Sequence, residues 1–152
     1  MKIKILSIGK KERSHYDPLY KEQEKLISHY ANVESIELFS NTIAKAHSAG
    51  KAQAQRAYST TLEPHLSKHY SIALHPEAEM VDSFIFSKLI ADKMSVQFLI
   101  GGAYGFEKAF VTKCDKAISL SALTMGHKIA RMVLLEQIYR GLCINHNHPY
   151  HK

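Results

Sequence analysis

The chain has 152 residues, 45% of them hydrophobic and 22% charged, with 7 Gly and 4 Pro, a composition that fits one compact core and excludes disordered and fibrous classes. At this length folding buries about 68 to 70% of the unfolded surface, so neither disulfide nor metal staples are needed. Lys and Arg number 20 against 14 Asp and Glu, a net charge of +6, which puts phosphate-bearing partners first, nucleic acid ahead of an anionic membrane surface.

The excess charge is unevenly placed. Residues 1–30 carry seven cations and four acids (+3), residues 31–100 six and seven (−1), and residues 101–152 seven and three (+4). Cys114 and Cys143 form no CxxC pair, and no apolar signal segment follows Met1, so a reduced cytoplasmic protein is expected. The most apolar segments, such as Val96 to Ile100 with its one polar residue Gln97, are strand-sized, and no membrane span is expected.

Taken in order, Lys2 to Ile8 reads as a strand closing at Gly9. Asp17 before Pro18 reads as an N-cap with proline at the first helical position, and Leu19, Gln23, Leu26, Ile27 and Tyr30 share one face. Val33 to Phe39 alternates as a second strand. Asn41 to about Leu62 is Ala-rich and reads as helix with a possible break at Ser48 to Gly50. A short strand follows at Tyr70 to Leu74, then a helix capped by Asp82. Val96 to Ile100, apolar but for Gln97, reads as a strand buried on both sides in a parallel sheet. Ala117 to Leu120 is a last strand and His127 to Leu142 a last helix. Strands alternating with helices predict a single α/β domain over residues 1–152, with a mostly parallel sheet and flanking helices.

In such folds ligands bind at the carboxyl ends of the strands, where three loops stand out: Leu74 to Ala78, Gly101 to Phe106 and Ser121 to Gly126. Gly101, Gly102 and Gly105 let a ligand approach the backbone, although a tight strand-to-helix turn would use them equally. Neither a GxGxxG fingerprint nor a GxxxxGK[ST] loop occurs, which argues against dehydrogenases and kinases. Ser119 to Met125, SLSALTM, alternates small hydroxyl and apolar residues, suited to a flat aromatic ligand whose edge bonds backbone groups. Alternatively, Thr124 caps the helix that begins near His127.

The last helix is apolar on more than one face, through Ile129, Met132, Val133, Leu134, Leu135, Ile138, Tyr139 and Leu142, which fits either a homodimer contact or core burial. Glu136 and Arg140 stand at i and i+4, a local ion pair, whereas Arg131 has no such neighbour. The tail from Asn145 to Lys152 holds three histidines, but no ligand motif supports a metal site. Its histidines suit RNA contacts or proton transfer, and Tyr150 offers a stacking surface.

FLIGGAYG at 98–105, SLSALTM at 119–125, ARMVLLEQIYR at 130–140 and NHPYHK at 147–152, together with the opening MKIKILSIGK, closely resemble the SPOUT-class ribosomal RNA large subunit methyltransferase H family. The resemblance implies a C-terminal trefoil knot, a homodimer, and S-adenosylmethionine as cofactor. It implies methylation of N3 of a pseudouridine in large-subunit ribosomal RNA within the ribosome. By matching motif, cofactor contacts fall on Leu74, Gly101, Leu120, Ser121, Ala122, Leu123, Thr124 and Met125. Tyr150, His151 and Lys152 are the expected catalytic group, with a partner subunit as their possible source, and His127 is a reserve. Arg131 and His148 are expected to hold RNA. No metal is expected. The chain departs from the family pattern at His75, Ala78, Ala103, Met125-Gly126-His127 and Lys152, where the family usually has Asp, Gly, Pro, LPH and Arg. The last change keeps the charge but loses a planar bidentate donor. Two other readings share some of these features: a SPOUT enzyme acting on a transfer-RNA ribose 2′-hydroxyl, and a non-catalytic RNA-binding or ribosome-assembly protein.

Overall fold

A computed structural model describes residues 1–152. Five parallel strands, β1 (Lys2–Ile8), β2 (Asn32–Leu38), β3 (Tyr70–Leu74), β4 (Ser95–Ile100) and β5 (Lys116–Ile118), lie in the order β2-β1-β4-β3-β5. β4 is central and Val96 to Ile100 are all buried, but the run is not wholly apolar: Gln97 is buried with it, its amide donating to the His65 carbonyl at 2.9 Å.

Six helices cover the sheet: α1 (Asp17–Ile27), α2 (Asn41–Ala49), α3 (Lys51–Leu62), α4 (Ser83–Ile90), α5 (Lys108–Val111) and α6 (His127–Asn145), with a short 3-10 stretch at Glu63–Lys68. Strand periodicity sorts the two cores. On β1, Ile3 and Ile5 face one way, where they join residues of α1, α4 and α6, while Leu6 and Ile8 face the other way and join residues of α2, α3 and α5. The result is three layers, with α6 between α1 and α4 on one face.

Several local readings shift. The expected helix from Asn41 to Leu62 is two helices, because Gly50 takes φ +122°, a conformation that side chains resist, and ends α2 as it starts α3. Asp17 is not an N-cap. It is the first residue of α1, and its carboxylate instead accepts from the backbone N–H and hydroxyl of Ser14 at 3.1 and 3.2 Å. Asp82 does cap α4, accepting from the Ile85 N–H at 2.7 Å. The last strand runs Lys116–Ile118 rather than Ala117 to Leu120, and α6 continues three residues beyond Leu142.

The apolar residues of α6 on both sides are used inside the chain. Leu134, Leu135, Ile138, Leu142 and Cys143 are all buried in the α1/α4 core, although Ile129 stays exposed. At its far end α6 stops on Asn147, in the left-handed region at φ +55°. The N–H of His148 reaches back to the Cys143 carbonyl at 2.8 Å, and that of Asn147 to Ile144 at 3.1 Å, a Schellman closure that reverses the chain. No helix is long and apolar enough to cross a membrane.

Candidate functional site

The carboxyl ends of β3, β4 and β5 open into one cleft of about 570 Å³, within the range of small-molecule sites. Its walls are the three loops singled out above. Leu74, Gly101, Leu120, Ser121, Leu123, Thr124 and Met125 all line it, seven of the eight residues expected to hold a cofactor. Ala122 does not line it, because its exposed side chain sits on the outer side of the loop. Thr124 faces the cleft instead of capping α6, whose N-cap is Gly126 without any side-chain bond.

The glycine loop is both a turn and a close approach. The Gly105 N–H bonds the Gly102 carbonyl at 3.0 Å, and Gly105 sits at φ +67°. A Cβ on Gly102 would lie 2.6 Å from the Tyr58 hydroxyl, so no larger residue fits there. Tyr58 is fully buried on α3, its phenol pushed above the ordinary value by that burial, and its hydroxyl shares a hydrogen bond with Nε2 of His47. No feature near Tyr58 in the sequence signals this role. Likewise His127, at the start of α6, lines the cleft, and its ring packs against Gly9 at the end of β1.

Opposite this wall, the 120–125 loop offers backbone groups. Of its amides only that of Leu123 is satisfied within the chain, by the Ser121 hydroxyl at 3.0 Å. The Ser119 hydroxyl in turn donates to the Ser121 carbonyl at 2.8 Å and holds the loop's entry. Unpaired main-chain donors beside an apolar wall of Leu74, Ile100 and Leu120 suit a flat heteroaromatic ring with acceptor atoms at its edge.

The tail is elsewhere. Arg140 and Glu136 form the expected ion pair, Nη2 to Oε1 at 2.6 Å and Nε to Oε1 at 3.0 Å. They also do what their spacing does not signal, which is to seat the tail. Arg140 Nη1 donates to His151 Nδ1 at 3.1 Å, and its guanidinium lies 4.7 Å from the Tyr150 ring. Tyr150 donates to Glu136 Oε1 at 3.1 Å and packs against Tyr139, while His151 meets the Phe84 ring edge-on. Burial, then the Glu136 charge, raises the Tyr150 phenol above its ordinary value, and the hydrogen bond to Glu136 raises Arg140. None of Tyr150, His151 and Lys152 lines the cleft, and His148 is exposed beyond the helix end.

Arg131 is not a free cation. Its guanidinium pairs with Glu37 at 2.9 Å and Glu24 at 3.4 Å and lies 4.1 Å from the Tyr20 ring, with only 13% of the side chain exposed. That arrangement ties α6 to α1 and β2 and leaves little of the charge for a phosphate. Lys10, Lys11 and Arg13, by contrast, have no carboxylate partner. Both cysteines are free thiols, and burial pushes Cys114 up to about 11.

The family model described as a predicted SPOUT methyltransferase matches residues 1–151. The chain belongs to the SPOUT methyltransferase family. Among its relatives, the ribosomal RNA large subunit methyltransferase H of Aliarcobacter butzleri (strain RM4018) is 52% identical and that of Sulfurovum sp. (strain NBC37-1) 50%, each over 100% of both chains. A probable methylase family protein from Haemophilus influenzae Rd KW20 shares the fold at TM-score 0.54 and 13% identity, covering 99% of this chain and 70% of that one. The chain is therefore a methyltransferase.

Proposed function

We propose that this SPOUT enzyme methylates N3 of a pseudouridine in large-subunit ribosomal RNA, in the cytoplasm, using S-adenosylmethionine held in the cleft. The observation that carries the reading is the coincidence of the cleft's three loops with a chain that aligns end to end with relatives named for that ribosomal RNA activity.

The cleft fits the cofactor: its volume, its glycine floor and its unpaired 120–125 amides match a nucleoside with a short polar tail. Leu74, Leu120 and Met125 would cover the base, and Gly101 would admit the rest close to the backbone. When bound, S-adenosylmethionine supplies a methyl group activated by a positively charged sulfur. The protein's task is then to hold the acceptor nitrogen in line, and positioning of this kind is worth about 7 to 11 kcal/mol.

The second task is the proton on N3, which passes to solvent water and leaves negative charge shared with the flanking carbonyl oxygens. Tyr150, kept protonated by its surroundings, is a donor rather than a base. A guanidinium only donates, so the Arg140 bond makes His151 Nδ1 an acceptor and places that ring's hydrogen on Nε2. The His151 Nε2 hydrogen and the Lys152 cation thus make a set of donors suited to an oxyanion, which Tyr150 would join on exchanging its bond to Glu136 for one to the substrate.

Within one chain that set cannot reach the cleft. Ala130 on the cleft and Arg140 under the tail are ten residues apart on α6, about 15 Å along its axis. A homodimer, with the tail of one subunit at the cleft of the other, brings the two together. Exposed Leu123 and Ile129 beside the cleft and exposed Phe84 and Tyr150 beside the tail support such a contact. The knotted topology is supported by the way the end of β5 is laced to the 75–80 segment: the His75 N–H bonds Ile118, the Ser119 N–H bonds Glu79, and Met80 bridges Ser119.

The test is nucleoside mass spectrometry of ribosomal RNA from a strain lacking the gene. Loss of 3-methylpseudouridine, restored by the intact chain, is expected, and its persistence would refute the proposed target.

A further inference from the structure

Beyond the cleft's mouth, away from α6, the surface changes character. Tyr104, the exposed aromatic residue of the glycine loop (38%), meets the His47 ring at 5.4 Å. His47 meets Phe39 at 5.7 Å, and the Lys10 ammonium rests 5.4 Å from the centroid of Phe39. The four residues come from four separate segments: the loop after β4, α2, the end of β2 and the end of β1. They form a continuous line across the carboxyl edge of the sheet. The line begins inside the cleft, since Tyr104 lines it, and ends at Lys10, Lys11 and Arg13.

Three features separate this line from ordinary aromatic packing. The first is anchoring. The Tyr58 hydroxyl holds His47 Nε2, and the Gln55 amide donates to the Tyr104 carbonyl at 2.9 Å, so the central ring and the main chain that carries Tyr104 are held before anything binds. The second is exposure: Tyr104 and Lys10 are exposed and His47 and Phe39 half-buried, unlike the buried aromatic pair Phe86 and Phe98. The third is charge. Lys10, Lys11 and Arg13 are exposed and without carboxylate partners, whereas Arg131 and Lys128 nearby are both paired. An exposed ammonium over a half-buried ring is a weak contact that a stacked base displaces, releasing the cation to a phosphate.

Aromatic rings interleaved with unpaired cations are the chemistry that grips single-stranded RNA, whose bases stack while its backbone is neutralised. We propose that Tyr104, His47, Phe39 and Lys10 form a stacking rail that carries the RNA strand flanking the target nucleotide out of the cleft. The rail rests on the RNA-methyltransferase reading for its biological strand, though not for its affinity for RNA.

The test uses the full chain and two probes, a fluorescein-labelled ten-nucleotide oligouridine and inorganic polyphosphate, which carries charge without bases. Phe39→Leu keeps the apolar volume and removes the ring; it is expected to weaken oligouridine about fivefold or more and leave polyphosphate unchanged. Lys10→Ala should weaken both and flatten the salt dependence of oligouridine binding by about one phosphate contact. Calorimetric affinity for S-adenosylmethionine should stay within about twofold in both variants, which also shows that they fold. Oligouridine binding unchanged in Phe39→Leu, or no measurable oligouridine binding by the unaltered chain, overturns the rail. Equal losses for both probes in Phe39→Leu also overturn it, since they reduce the line to charge alone. If the rail variants behave as expected while 3-methylpseudouridine persists in the deletion strain, the assigned target fails and the RNA surface stands.

Discussion

The two ends of α6 are built by different means. At its start, the cleft is made of backbone: glycines that admit a ligand, amides left without partners, and loops fixed by the strands they leave. At its finish, beyond the backbone closure at Asn147, the last residues are held by side chains, with Arg140 and Glu136 gripping Tyr150 and His151. A backbone site is rigid and complete within one chain, which suits a cofactor of constant shape. A side-chain clasp on the surface can be exchanged, which suits a group that must meet a large RNA and, in the proposed dimer, another subunit.

The sharpest way to separate the two ends is to remove Tyr150 to Lys152. Methyl transfer should fall below detection, while calorimetric affinity for S-adenosylmethionine stays within about threefold. A tenfold loss of that affinity would place the tail in the cofactor pocket and erase the distinction. Gly102→Ala attacks the other end. Its Cβ would meet the Tyr58 hydroxyl at 2.6 Å and Ile8 at 3.0 Å, both buried and unable to yield cheaply, so cofactor affinity should drop about tenfold or more.

A smaller effect is expected from Arg131→Ala, which cuts the tie between α6, α1 and β2. Loss of one partner from a buried pair costs about 3 to 5 kcal/mol. Glu24 and Glu37 remain partly solvated, so about 2 kcal/mol is expected, a fall in Tm of about 4 to 8 °C. Unchanged melting would show that α6 is held by its apolar faces alone.

The smallest effect lies under the cleft, where Asp115 accepts from the Ser71 N–H at 2.7 Å and its hydroxyl at 2.8 Å. These bonds, the backbone one first, hold the carboxyl below its ordinary value of 3.8. A lowered folded-state value stabilises the fold above 3.8, and the contribution is lost as pH falls through the folded value. The difference in Tm between the unaltered chain and Asp115→Asn should therefore be constant near neutrality and shrink below about pH 3.8. A difference that grows on acidification would reverse the assignment.

What could be read from the sequence follows how local each cause is. The strand Val96 to Ile100 and the break at Gly50 were legible because a buried strand and a left-handed residue are each specified where they occur. The three cleft loops were legible for the same reason. Asp17 misled, because an Asp-Pro pair satisfies the pattern of a cap while Ser14, three residues earlier, takes the carboxylate. Arg131 could not be read. Its partners Glu37 and Glu24 lie 94 and 107 residues away, and nothing local distinguishes a cation that will be neutralised from one that will not. The core role of α6 was equally hidden, since two apolar sides suit an intramolecular sandwich or a dimer face alike. The clasp on the tail needed both Glu136–Arg140, visible as an i, i+4 pair, and the reversal at Asn147, which was not anticipated.

The strand order has a kinetic side. β1 pairs with β2 after a single helix, a local connection, but its other edge waits for β4, where Lys2 aligns with Ser95. On a chain emerging from its amino terminus, the first βαβ unit can therefore form early with one edge of β1 still open, and such an edge is prone to mispairing. The sheet becomes continuous only once β4 is available, and the cleft only after residues 119–127 follow β5. Long-range parallel pairing of this kind slows folding, so acquisition of cofactor binding should be the last event in refolding, later than the recovery of helical structure.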